Sequence, residues 1–339
     1  MRARTLLLPL VLLLSAAAFA AGPGYHLINT WKLGGEGGWD YLTADSDAHR
    51  LYISRATRVL VIDLDSGKQV GEIPDTPGVH GIALDHKRGK GYISDGGDGT
   101  VTVFDINSLK TLSKIKVGQR PDAILFDPAT DQVFTFNAGT QDSTVIDVTK
   151  DAVVGTIPLG GKPEFAATDL KGTVFVNMED KNSLYAIDAN KLTVKSKWAL
   201  PGCEEPSGLA IDRKNRRLFS GCEKIMAITN ADSGQQVGNA PVGEGVDATA
   251  YDEETGLAFA SAGGDAKLTV VQSSGGDKYA VVETPMTQKG ARTMALDTKT
   301  HNIYLVTAEF GPRPAPTAQN PHPRPSIVPG SFVVLVMGK

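Results

Sequence analysis

Residues 122–157 read DAILFDPATDQVFTFNAGTQDSTVIDVTKDAVVGTI and hold four short apolar runs in succession. The first three runs end at Asp127, Asn137 and Asp147, and a weaker fourth run ends at Ile157. Runs of about 4 to 6 residues that are rich in Val, Ile and Phe and separated by Gly, Asn, Asp and Lys are typical of strands and turns. This stretch therefore predicts four consecutive strands joined by tight turns.

The same unit recurs along the whole chain. An Asp ends the first apolar run of each copy, at steps of 40, 42, 42, 43, 40 and 45 residues: Asp45, Asp85, Asp127, Asp169, Asp212, Asp252 and Asp297. Four strands in about 42 residues are typical of a propeller blade. Because no stretch shows a sustained 3.6-residue apolar pattern, helices are expected to be nearly absent. The sequence predicts an all-β, seven-bladed β-propeller that leaves no room for a second domain.

The two ends of the chain are expected to complete one blade together. Blade seven has apolar runs at about 291–297, 302–308 and Phe332–Met337, where the chain ends, so its fourth strand has to come from elsewhere. The only strand-like run outside the repeats is His26–Trp31. Pairing of this N-terminal strand within blade seven closes the ring and removes exposed sheet edges.

The first 20 residues have the pattern of a secretory signal peptide. Arg2 and Arg4 precede the apolar run Leu6–Leu14, and Ala18-Phe19-Ala20 has the form of an A-x-A cleavage site. An uncleaved membrane anchor is the alternative, but the apolar run is short for a membrane span. The sequence thus predicts a signal peptide followed by a single propeller domain at 21–339, periplasmic or secreted, with no later membrane span.

Composition excludes some classes of function and suggests a disulfide. Loss of Arg2 and Arg4 with the signal peptide takes the formal charge from −4 to −6, and an acidic protein is a poor ligand for nucleic acid. The chain has two cysteines, Cys203 and Cys222, which in an oxidising compartment are expected to form a disulfide. The alternative is a metal held by two thiolates and the nearby acids Glu204, Glu205 and Glu223. No motif for haem attachment or for a zinc protease occurs.

The repeats also resemble a known family. The tetrads Leu51-Tyr52-Ile53-Ser54 and Val174-Phe175-Val176-Asn177, each followed by a run that ends in Ile-Asp, are similar to the repeats of YVTN-type β-propeller proteins. The resemblance covers all seven repeats and implies the propeller fold. That family includes surface-layer and periplasmic proteins of unassigned role, and it resembles propellers with lactonase or redox chemistry, so the resemblance implies no particular active site.

Candidate site residues come from the repeat frame. The position five before each repeat Asp is predicted to begin the innermost strand, so its seven copies should meet at the mouth of the central channel: Asp40, His80, Asp122, Glu164, Ser207, Asp247 and Arg292. This set, called the mouth ring below, has the oxygen ligands of a hard cation such as Ca²⁺, Mg²⁺ or Zn²⁺. It also suits a polar small molecule whose anionic group Arg292 clamps. The third interpretation is a hydrated rim whose acids pair with Arg292, Arg120 and Lys162.

Two readings of the function remain open from the sequence. The first is a non-catalytic binding or scaffold protein, a monomer, that holds a small polar ligand or a protein partner on its loop face; no cofactor is certain. The alternative is a metal-assisted hydrolase or lyase, lactonase-like, in which His80 as a base needs Asp40 or Asp122 as its partner. The Pro-rich insertion 310–331 is either a solvated polyproline-like loop or a semi-rigid flap over the mouth.

Overall fold

The structure is a computed structural model, and it describes residues 22–317, 323 and 325–339. The predicted signal peptide lies outside the described residues, as do part of the Pro-rich insertion and His322. Among the described residues no helix is long and apolar enough to cross a membrane. The helical structure in this part of the chain is one 3₁₀ turn, Glu179–Lys181.

Twenty-eight strands in the described residues form seven sheets of four. The first strand is β1 (His26–Lys32), and blades one to three follow in order as β2 (Leu42–Asp45), β3 (Arg50–Arg55), β4 (Arg58–Asp63) and β5 (Gln69–Ile73); β6 (Val79–Asp85), β7 (Lys90–Asp95), β8 (Thr100–Asp105) and β9 (Thr111–Lys116); β10 (Pro121–Asp127), β11 (Gln132–Asn137), β12 (Asp142–Asp147) and β13 (Ala152–Pro158). Blades four to six are β14 (Pro163–Thr168), β15 (Thr173–Met178), β16 (Ser183–Asp188) and β17 (Thr193–Ala199); β18 (Leu209–Asp212), β19 (Arg217–Gly221), β20 (Ile225–Asn230) and β21 (Gln236–Pro241); β22 (Val246–Asp252), β23 (Leu257–Ala262), β24 (Lys267–Gly275) and β25 (Lys278–Glu283). Blade seven holds β26 (Met294–Leu296), β27 (Ile303–Thr307) and β28 (Val333–Gly338).

Each of the first six blades is an antiparallel meander in chain order, for example β10-β11-β12-β13. The first strand of each blade lies innermost, since β10 packs against the first strands β6 and β14 of its two neighbours. The fourth strands carry mostly exposed residues, as in β9. The predicted seven-bladed β-propeller with four-stranded blades is confirmed.

Blade seven is completed from both ends of the chain. Its order is β1-β28-β27-β26, and the register of the first pair runs from His26 opposite Gly338 to Lys32 opposite Val333. Trp31 of β1 packs against Tyr304 of β27, with ring centroids 5.4 Å apart. The predicted pairing of the two termini is therefore confirmed.

The repeat Asp residues are turn formers. In six of the seven blades the carboxylate accepts backbone N–H groups of the turn between the first and second strands, as Asp45 does from Ala48 at 3.0 Å and Asp212 from Asn215 at 2.9 Å. This is the geometry of an Asx turn, in which a short carboxylate replaces a backbone acceptor. The exception is Asp127, whose carboxylate accepts the hydroxyls of Thr130 and Thr168. The residue that reveals the period in the sequence thus serves the fold, at the face opposite the mouth.

The hydrophobic core lies between neighbouring blades rather than inside any one of them. Between blades one and two, for example, Tyr52 packs with Ile93 and Phe104, and all three side chains are fully buried. A single disulfide joins Cys203 and Cys222 across blade five, with the Cα atoms 5.3 Å apart. The predicted disulfide is confirmed, and the alternative of a thiolate metal site is wrong because both sulfurs are used in the bond.

Candidate functional site

The mouth ring sits where the loops from the fourth strand of one blade enter the first strand of the next. His80, Asp122, Glu164 and Asp247 lie inside the innermost strands of their blades. Asp40, Ser207 and Arg292 do not, since in blades one, five and seven the strand starts two residues later, at Leu42, Leu209 and Met294. The expectation that this position always begins the strand is therefore wrong for three blades, where the chain still belongs to the loop.

Three of these residues converge in one cluster. His80 Nδ1 lies 2.5 Å from Asp40 Oδ2 and 3.5 Å from Asp122 Oδ1. One ligand atom from each residue can be chosen so that all lie within 4.8 Å of one another, and all three side chains are partly exposed. The residues come from blades one, two and three, so neighbouring blades supply one group each to the Asp40–His80–Asp122 cluster.

The remaining ring residues form ion pairs and hydrogen bonds. Arg292 lies 3.3 Å from Asp40 and also contacts Asp247, which accepts a 2.8 Å hydrogen bond from the Ser207 hydroxyl. On the other side Lys162 Nζ lies 2.9 Å from Glu164 and also contacts Glu179. Arg120 forms no ion pair with the described residues, so of the three cations that the sequence offers to the ring acids, two are used.

Two carboxylates of the ring, Asp122 and Glu164, lie in an environment that raises their pKa. Desolvation, and after it the negative charge of Asp122, raises the pKa of Glu164 to about 7. Desolvation is also the main reason why the pKa of Asp122 is raised. Burial alone would lower the pKa of His80, but its hydrogen bond to Asp40 and the charge of Asp122 outweigh burial and leave that pKa raised. Desolvation, and after it the charge of a neighbouring carboxylate, therefore opposes the ionisation of Glu164 and Asp122.

An aromatic pair closes the channel beneath the mouth ring. Tyr41 and Phe165 follow Asp40 and Glu164 directly, and their ring centroids lie 4.4 Å apart. Blades one and four stand on opposite sides of the ring, so this contact spans the channel. The corresponding position in the other five blades holds smaller residues: Gly81, Ala123, Gly208, Ala248 and Thr293. The pair therefore forms an aromatic floor beneath the mouth, and the space above it is called the cup below.

The sequence analysis predicted neither this aromatic pair nor the role of Arg55, which holds the loop that leads into Asp40. The signal for the pair was present, since Tyr41 and Phe165 are the two aromatic residues in their column of the repeat. The loop Gly34–Gly38 is held by Arg55, which is 1% exposed and donates hydrogen bonds to Gly37 O at 2.5 Å and Gly34 O at 3.3 Å. The Arg55 guanidinium also lies 3.8 Å from the ring centroid of Phe332, so a buried cation fixes the loop that leads into Asp40.

The Pro-rich insertion leaves from the same face. Its base is paired, because Phe310 bridges Ile327, Gly311 N donates to Ser326 O at 2.8 Å and Val328 N donates to Glu309 O at 2.9 Å. Trp39 packs beside this base, with its ring centroid 6.1 Å from that of Phe310. These contacts fix the base of the insertion beside the mouth; whether the insertion acts as a flap over the mouth stays a prediction.

Comparison with known proteins supports the fold. No family model and no curated protein matches the sequence. Among solved structures, the hydrazine synthase of Kuenenia stuttgartiensis superposes with a TM-score of 0.69 at 17% identity, over 79% of this chain and 92% of that one. The structure of U3-55K superposes with a TM-score of 0.72 at 9% identity, over 91% of this chain and 97% of that one. The chain has a seven-bladed β-propeller fold. At these identities the likeness concerns the fold alone.

Within that fold the Asp40–His80–Asp122 cluster has the ligands to bind a cation. Two carboxylates and one imidazole from separate blades offer three ligands to a cation, and all three side chains are partly exposed. Mixed nitrogen and oxygen ligands suit Zn²⁺ and similar transition metals, whereas Ca²⁺ and Mg²⁺ prefer oxygen alone. The cup is thus suited to hold a small polar species that enters from the loop face.

Proposed function

We propose that this chain is an exported binding protein, without a reaction of its own, that holds a small polar ligand in the mouth ring. The ligand that the geometry favours is a divalent cation between Asp40, His80 and Asp122. The observation that carries the proposal is the approach of these three groups from successive blades to within 4.8 Å. The aromatic pair Tyr41 and Phe165 supports a binding role, because it gives the channel a floor on which a ligand rests.

The electrostatics favour a cation over an anion at this point. Asp122 is buried enough to resist ionisation, and the charge of Asp40 adds to that resistance. A divalent cation supplies the positive charge that stabilises both carboxylates and takes the neutral imidazole as its third ligand. Binding of the cation would replace the hydrogen bond between His80 and Asp40, because the two atoms of that bond are the ones that would face the cation.

Calorimetric titration of chelator-treated protein with Zn²⁺, Ca²⁺ and Mg²⁺ tests this proposal. We expect one site per chain, with Zn²⁺ bound most tightly because imidazole is among the ligands. Bound cation is also expected to raise the melting temperature in step with its concentration, since it binds the folded state alone. Absence of both heat and a melting shift with all three cations would leave the hydrated rim as the correct description.

Metal-assisted hydrolysis or elimination is the second candidate, and one observation favours it. A catalytic zinc keeps three protein ligands and an open position for water, and the cluster offers three groups at a mouth that is open to solvent. Zinc-loaded protein incubated with a simple lactone and with p-nitrophenyl acetate separates the two candidates. We expect no turnover above that of free zinc; saturable turnover that a chelator abolishes would replace the binding role with the enzymatic one.

Export belongs to the same proposal. The disulfide between Cys203 and Cys222 supports it, because structural disulfides persist in oxidising compartments. The pattern of Arg2, Leu6–Leu14 and Ala18–Ala20 supports it independently. In a secreting bacterial host, the intact mass of the protein recovered from the periplasm is expected to equal that of residues 21–339 less two hydrogen atoms. Recovery of the full-length mass from the cytoplasm or the membrane would contradict export.

A further inference from the structure

A second cavity lies beside the mouth ring, between blade seven and the loop that enters blade one. Its volume is about 690 Å³, which is within the range of small-molecule sites. The loop before blade one supplies Trp39, the loop before β26 supplies Lys289 and Arg292, and the Pro-rich insertion supplies Phe310 and Arg313. Four separate loop segments, including Gly263 of blade six, thus build its walls.

The charge of this cavity is of one sign. Its lining includes three cationic side chains and no carboxylate. Arg292 is shared with Asp40 and Asp247, but Lys289 and Arg313 form no ion pair with any described residue, and both are exposed. Because Lys289 and Arg313 have no acidic partner in the described part of the chain and line the same cavity, that cavity can accept an external anion without breaking an ion pair of either residue.

The other walls are flat and apolar. Trp39 and Phe310 lie with ring centroids 6.1 Å apart and an interplanar angle of 46°, and Ile327 lies across the bridge from Phe310. Phe310 is 36% exposed, so part of its ring is available to a ligand in the cavity. Trp39 also packs on buried Phe332, at 5.3 Å, which fixes the orientation of the indole.

We propose that this cavity, called the side pocket below, binds an organic anion with a flat apolar body, such as an aromatic carboxylate. The carboxylate pairs with Lys289 and Arg313, and the body packs against Trp39 and Phe310. The cations give charge-assisted hydrogen bonds, which are stronger than neutral ones, and the rings give dispersion and stacking with little loss of side-chain entropy. The lining of the side pocket contains none of the three cluster residues, although Arg292 contacts Asp40 and Trp39 directly precedes it.

Titration with 2-naphthoate tests the proposal, with 2-naphthamide and acetate as comparison ligands. We expect 2-naphthoate to bind at one site per chain, 2-naphthamide to bind about tenfold more weakly because its charge is gone, and acetate to show no binding because it lacks the flat body. Equal affinity for naphthoate and naphthamide, or no binding of naphthoate, would overturn the proposal.

Variants place the binding in the side pocket. Lys289→Gln and Arg313→Gln are exposed substitutions that leave the fold intact, and each is expected to weaken 2-naphthoate by about five- to tenfold. Lys181→Gln is the matched control, since Lys181 is a half-exposed lysine on the same face, beside blade four and paired with Asp180. Arg292 is not substituted in this test, because it contacts Asp40 and its replacement would disturb both the side pocket and the cation cluster. If all three variants weaken naphthoate equally, the effect is one of net charge and the side pocket is excluded.

The two proposals fail separately. The titration with 2-naphthoate is repeated on protein stripped with a chelator and on protein loaded with Zn²⁺. Affinities that agree within about threefold are expected for a pocket that does not need the metal. Binding of naphthoate only to the zinc-loaded protein would mean that the anion coordinates the cation in the mouth ring, which overturns the side pocket and supports the cation site.

Discussion

Protein that begins at residue 33 is expected to be recovered as insoluble or unfolded material, whereas protein that begins at residue 21 is soluble. Removal of β1 exposes the edge of β28, whose residues Val333 to Val336 then present unpaired N–H and C=O groups beside apolar side chains. An apolar edge of this kind pairs with other chains. The truncation also removes Trp31, whose ring packs on Tyr304 and covers the turn at Gly67 of blade one. Solubility, circular dichroism and thermal melting of the two forms measure the effect.

A peptide of residues 22–32, added during refolding, is the control for this truncation. If the truncated protein is insoluble because it lacks β1, the peptide should restore soluble, folded protein by pairing with β28 as a separate segment. A peptide of the same composition in scrambled order should not restore it. A truncated protein that melts at the temperature of the longer form would show that ring closure does not depend on β1.

Replacement of Asp122 by Asn is expected to weaken Zn²⁺ binding by at least about a hundredfold. The change removes one of three ligands and replaces it with an amide, which is a poor ligand for a transition metal. His80→Gln should have an effect of similar size, because it removes the imidazole that distinguishes this cluster from a group of acids. The same calorimetric titration measures both variants, with circular dichroism as the check that the propeller is intact.

Asp98→Asn is the matched control for this pair. Asp98 lies on the loop face of blade two, outside the mouth ring, where it is half-exposed and close to Lys114. Its substitution changes the net charge by the same amount as Asp122→Asn, so a general electrostatic effect on Zn²⁺ binding would appear in both. Zinc affinity that stays at the parent value in Asp122→Asn would place the cation elsewhere on the protein.

The fold was predictable because its most regular residue has a local role. Asp85 and five of its equivalents accept turn N–H groups, and such short-range geometry repeats with the sequence period. Ring closure was predictable too, because a run of strand-forming residues at each end had no other partner. The first residues of the inner strands in blades one, five and seven were not predictable. In these blades the chain is still in a loop conformation at Trp39, Pro206 and Ala291, before the strand begins to pair.

The site was predictable as a set of residues but not as a set of contacts. The repeat frame places Asp40, His80 and Asp122 at one level, yet it does not say which side chains meet. The contact between Tyr41 and Phe165 depends on the radius of the ring, and the sequence carries no measure of that radius. Arg55 was missed for a different reason, since a buried arginine whose partners are backbone carbonyls has no motif.

The pairing of β1 with β28 sets the order in which the ring can be completed. His26 and Gly338 are paired across almost the whole described chain, so among the described strand pairs β1 and β28 have the longest loop to close. The N-terminal strand therefore has to wait, unpaired, until the rest of the chain has been made. A chain that is cut before β28 lacks the strand that β1 needs, and it is left with unpaired sheet edges. Closure by β1 and β28 thus restricts the native state to chains that carry both strands.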